Sequence, residues 1–154
     1  MNARLLVWYW MPVIAWMTLI FIASTDLMSG EHTSRFIGPF LQWLMRDVSP
    51  ATIAAVQLIV RKLAHVTEYA ILAMLLFRAV LARGKRTVVQ PGIVLLIAAS
   101  YAALDEFHQS FVASRTGSPR DVAIDICGAM VGLLIYWRFA GRKTPAETPI
   151  TVGA

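Results

Sequence analysis

The sequence predicts an all-α fold: a polytopic membrane bundle of four transmembrane helices, with a short interfacial or re-entrant segment between helices 1 and 2. Three observations predict it. Hydrophobic residues make up 58% of the 154 positions and charged residues only 15%, against roughly 25% in soluble domains. Apolar runs fall at about 5–24, 58–80, 93–112 and 121–139, each close to the ~20 residues that cross hydrocarbon. The stretches outside them carry most of the glycines, prolines and charge. Residues 1–140 read as one transmembrane domain, and 141–154 as a flexible cytoplasmic tail.

The first run, Leu5 to Ser24, is too long for the apolar core of a signal peptide and has no good small-x-small cleavage site. It reads as an uncleaved helix with Trp8, Tyr9 and Trp10 at one interface and a kink at Pro12. Phe36 to Met45 is apolar but too short to span, which makes it the interfacial or re-entrant piece. Ser49-Pro50 starts the second long helix, serine as N-cap and proline at the first helical position. Nothing breaks a helix from there to Ala82, and Arg61, Lys62, His65 and Glu68 interrupt its apolar pattern. Pro91 and Gly92 open the third run, which ends on Asp105-Glu106-Phe107-His108-Gln109. A polar turn, Ala113 to Arg120, leads into the fourth run at Asp121, whose Gly128-x-x-x-Gly132 spacing allows a close helix approach. The one cysteine, Cys127, reads as a small buried hydrophobe.

Four spans put both termini on one side. Arg4, the Arg83/Lys85/Arg86 loop, Arg138, Arg142 and Lys143 all fall on that side. The positive-inside rule makes it the cytoplasm, and the compartment expected is the bacterial cytoplasmic (inner) membrane. The basic residues form no stripe or long run, which argues against a nucleic-acid partner.

Topology then fixes depth. His65 lies 13 residues before Arg78, Asp125 lies 13 before Arg138, and Asp105 lies 13 after Gly92. Thirteen residues are about 20 Å of helix. Three spans therefore bring polar groups to one height, about two thirds of the way outward, which implies one shared site. Lys62, His65, Glu68 and Tyr69 share a helix face at spacings of three and four. Asp105, His108 and Gln109 share another, with Glu106 to one side of it. Asp121 and Asp125 sit at a helix start, where carboxylates are favoured. Arg115 and Arg120 in the adjoining turn supply positive charge.

Lys62-x-x-His65-x-x-Glu68-Tyr69, Asp105-Glu106-x-His108-Gln109, Arg115 and Asp121-x-x-x-Asp125-x-x-Gly128, in that order and spacing, resemble the VanZ-like family of small bacterial membrane proteins. The resemblance covers about Arg61 to Tyr136, and departs where Ala113-Ser114 precedes Arg115 in place of the Pro-Gly common in the family. It implies a cell-envelope setting, and its founding member is associated with low-level resistance to the glycopeptide teicoplanin. It implies no defined reaction.

Charge inside a membrane marks function by default, and three readings follow. In an enzyme, His65, Glu68, Glu106 and Asp125 are the acid/base candidates. Lys62, Tyr69, Asp105, His108, Gln109, Arg115 and Asp121 are then the substrate-binding candidates. The partner is a membrane lipid or an anionic lipid-linked envelope intermediate entering from the outer leaflet. In a binder or transport-related protein the same groups bind without turnover. In a structural or modulatory protein they fasten the bundle. Histidines with carboxylates suit zinc or manganese, but no compact signature such as His-Glu-x-x-His occurs, so neither a cofactor nor a metal ligand is assigned. Four short spans also leave a homo-oligomer open.

Overall fold

The computed structural model describes residues 3–25, 30–45, 47–82, 87–112 and 117–140. Five helices account for most of them: α1 (Ala3–Ala23), α2 (Gly30–Leu44), α3 (Pro50–Leu81), α4 (Val89–Gln109) and α5 (Pro119–Ala140). The tail from 141 and the Arg83–Arg86 loop lie outside the described residues.

Three helices, α1, α3 and α5, are long and apolar enough to cross a membrane. By length and composition three helices qualify as spans where the sequence reading expects four. The physical reason lies in α4. Its 21 residues open on Gln90-Pro91 and close on Asp105, Glu106, His108 and Gln109, which leaves a short purely apolar centre.

Sequence signals set the helix starts. Ser49 caps α3, its hydroxyl accepting the Thr52 N–H at 3.1 Å, with Pro50 in the first turn. The same pair recurs at Ser118-Pro119. The Ser118 hydroxyl accepts the Arg120 N–H at 3.2 Å, and its carbonyl accepts the Asp121 N–H at 2.9 Å. α5 thus begins two residues before the expected Asp121. The segment expected around Phe36–Met45 is the second half of α2, a helix of 15 residues with Pro39 inside it, which packs on α3.

The helices line up by residue pairs. α3 and α5 run in the same direction, with Lys62 meeting Asp121, His65 meeting Asp125 and Phe77 meeting Tyr136. α4 runs the other way, its Tyr101 ring 6.4 Å from that of Tyr69. α1 runs alongside α4 and against α3. The Trp16 indole donates to the Glu68 carbonyl at 2.9 Å, the Tyr101 hydroxyl donates to the Met17 carbonyl at 2.6 Å, and Arg78 sits over the Tyr9 ring. Leu72, Ala73, Leu76 and Phe77 of α3, Val94, Ala98 and Ala102 of α4, and Ala129 and Leu133 of α5 form the core, with Val13 and Ile20 of α1.

The α3–α5 seam requires its two glycines. A Cβ on Gly128 would stand 2.5 Å from the Val66 carbonyl oxygen, and one on Gly132 would stand 2.7 Å from the Ala70 Cα. Both obstacles are backbone, so neither can step aside. Cys127, expected inside, is exposed. It directly precedes Gly128, and the glycine takes the position facing α3, turning the thiol away from the bundle.

Candidate functional site

The seam fixes α3 and α5 at backbone contact, and one to two turns beyond it the facing side chains are charged. His65 Nδ1 and Asp125 Oδ1 are 3.0 Å apart, at hydrogen-bonding distance. Glu106 enters from α4, and one ligand-capable atom from each of His65, Glu106 and Asp125 lies within 4.8 Å of the other two. All three are at least 95% buried. A turn fold holds Glu106 there: its Oε2 accepts the Ser118 N–H at 2.7 Å. That contact depends on Gly117, where a Cβ would stand 2.5 Å from the Glu106 carbonyl oxygen.

A turn further toward the α5 start, Asp121 is ion-paired with Lys62 and lies 4.0 Å from Arg61. It is buried while both cations stay about a third exposed, so their charged heads meet the carboxylate from its solvent-facing side.

Asp105 and Gln109 face a different neighbour. The Ser24 hydroxyl at the end of α1 donates to Asp105 Oδ2 at 2.8 Å, and the Gln109 amide donates to the same oxygen at 3.0 Å. His108 turns outward from both groups and stacks on Phe21 with ring centroids 4.5 Å apart. The polar residues expected to share one site thus divide among three places. His65, Glu106 and Asp125 meet between α3, α4 and α5, Lys62 and Asp121 stand above them, and Asp105 and Gln109 lie against α1. Tyr69 is fully buried beside Tyr101. Glu68 is half-buried and outside the three-residue group. Arg115, expected to supply positive charge from the turn, lies outside the described residues.

Two participants escape a reading of spacing alone. Ser24 looks like the unremarked end of an apolar run, and nothing local marks its bond to Asp105. Ser118 contributes a backbone N–H, although the repeated Ser-Pro pair was a usable signal for its position at a helix start.

Chemically, an imidazole oriented by one carboxylate and approached by a second is an acid/base arrangement. A further feature is unusual for a buried group. Glu106 Oε1 and Asp125 Oδ2 are buried with no hydrogen-bond partner, as are Asp105 Oδ1 and Gln109 Oε1 in the group against α1, although buried polar atoms are normally satisfied.

A family model described as VanZ/LLP1 matches residues 9–140. The chain belongs to the VanZ/LLP1 family. The match reaches beyond the polar motifs to include most of α1 and Ser24 at its end. No curated protein and no solved structure matches the chain.

Proposed function

We propose that this VanZ/LLP1 protein handles an anionic, lipid-linked envelope component at the outer leaflet of the bacterial cytoplasmic membrane. His65 with Asp125 and Glu106 forms the acid/base centre, and Lys62 and Arg115 provide positive charge near it. The observation that carries the reading is the buried meeting of His65, Glu106 and Asp125, with two carboxylate oxygens left unsatisfied. A groove of about 360 Å³ lined by Ile14, Met17, Thr18, Phe21 and Tyr101 adds to it. This open apolar groove suits an acyl or isoprenoid chain, and its Phe21 end adjoins His108.

The proposal includes a fourth span. α4 is about 31 Å long at 1.5 Å per residue, close to the ~30 Å hydrocarbon core. Its Leu96, Leu104 and Phe107 face outward while Asp105, Glu106 and Gln109 face inward. Apolar outside and polar inside is the pattern of a helix solvated by lipid. Four spans then leave both termini cytoplasmic. A link to teicoplanin susceptibility would follow from altered lipid-linked intermediates.

The test combines purified protein, a polyprenyl phosphate, and the variants His65→Ala and Glu106→Gln. Turnover by the wild type that both variants lose supports an enzyme, and binding without turnover supports a binder or transport component. Wild type that neither binds nor turns over any lipid phosphate sinks the proposal. In intact cells, a cysteine at position 115 should react with an impermeant thiol reagent, and labelling only after lysis would move the site to the inner face.

A further inference from the structure

We propose that His65, Glu106 and Asp125 bind a divalent cation of the zinc or manganese type, as three protein ligands with the remaining coordination left for an external group. The inference starts from charge. Among the described residues, four carboxylates are buried: Asp105, Glu106, Asp121 and Asp125. Among the same residues, lysine and arginine reach Asp121 and none of the other three. Glu106 and Asp125 share their space with one imidazole, and Asp105 with neutral groups. An uncompensated buried carboxylate costs several kcal/mol, and among the described residues the Glu106–Asp125 end holds only the His65 imidazole to offset two carboxyl groups.

A shared proton does not supply the remainder. Two carboxyl groups sharing a proton need oxygens about 2.5–2.7 Å apart, and Glu106 Oε1 and Asp125 Oδ2 have no hydrogen-bond partner of any kind. A cation fits the spacing better. Ligand atoms about 2.0–2.2 Å from a tetrahedral ion stand about 3.5 Å from one another, and those of His65, Glu106 and Asp125 already lie within 4.8 Å. The donor set, one imidazole and two carboxylates, suits zinc or manganese. Three protein ligands with an open position are the pattern of a metal that engages a ligand, whereas structural zinc sites are closed by four. The surrounding groups are also in place. Ser118 N–H holds Glu106 Oε2, and the seam glycines fix α5 against α3, leaving the unpartnered oxygens as the free donors.

The inference deepens the proposed function, since a dication facing the outer leaflet gives an anionic head group a partner amid carboxylates that would otherwise repel it. The test involves no lipid, so either idea can fail alone. Full-length protein purified in detergent is stripped with a chelator and titrated with Mn²⁺, read by electron paramagnetic resonance, and with Zn²⁺, read by calorimetry and melting temperature. One ion per chain should bind and raise the melting temperature. Asp125→Asn and Glu106→Gln should each weaken binding at least about tenfold, the scale of lost metal-site contacts, while Cys127→Ser binds like wild type. If Asp125→Asn does not fold, Glu106→Gln carries the test, because its amide oxygen can still accept the Ser118 N–H. No saturable binding to the wild type would overturn the site, and so would binding that Glu106→Gln leaves unchanged.

Discussion

The interface between α3 and α5 has two halves built from the same two helices on opposite principles. Toward the Arg78 end, Gly128 and Gly132 let the backbones touch at Val66 and Ala70. Toward the Lys62 end, Asp121 and Asp125 hold the facing side chains at the distance of a hydrogen bond or ion pair. The first half is closed and apolar. The second contains buried carboxylates, of which Asp121 has cationic partners and Asp125 has a histidine. A membrane offers little hydrophobic drive for helices to associate, so close backbone packing must supply the cohesion. The comparison teaches that the glycine half can stabilise the pair while the charged half stays underpaired.

Breaking the glycine half should have the largest effect. Gly132→Val pushes a branched side chain into the Ala70 backbone and should cost at least about 3 kcal/mol, the upper range for overpacking. Reduced yield and an early melting transition in detergent would register it, and a wild-type melt would mean the seam is not the source of cohesion. An intermediate effect is expected within the charged half. Lys62→Met leaves buried Asp121 with Arg61 4.0 Å away and should cost about 1–2 kcal/mol, below the full penalty for breaking a buried pair because Lys62 is partly exposed. Glu106→Gln in chelator should change stability by less, or raise it, because it removes an uncompensated charge. A larger loss from Glu106→Gln than from Lys62→Met would reverse the contrast between Asp121 and Asp125. The smallest effect belongs to the α1 side. Ser24→Ala removes one hydroxyl donor from Asp105 and should cost roughly 0.6 kcal/mol, the average for membrane polar contacts. A cost above that of Lys62→Met would make Ser24–Asp105 the main polar fastener.

The sequence alone determined the helices, because apolar run length and the Ser-Pro pair at Ser49 are local signals that the backbone obeys locally. It also determined that His65 and Asp125 lie at one depth, since rise per residue is constant and each stands 13 residues from an arginine at the same end. Family membership was legible in the order and spacing of the polar residues, and the match over residues 9–140 shows it. Helical spacing says which side chains share a face, but not which helix that face meets. Asp105 and Glu106 are adjacent in sequence, and the 100° between neighbouring helical residues sends one to Ser24 on α1 and the other to His65 and Asp125. Asp121 and Asp125 are one turn apart, and only the register of α3 gives Lys62 to the first and His65 to the second. The exposure of Cys127 has the same origin, because the side of α5 that meets α3 is chosen by the fit of Gly128 against Val66. His65, Glu106 and Asp125 come from three helices and form no compact motif in the chain. The tertiary structure alone gathers them, because helix packing decides which azimuths converge.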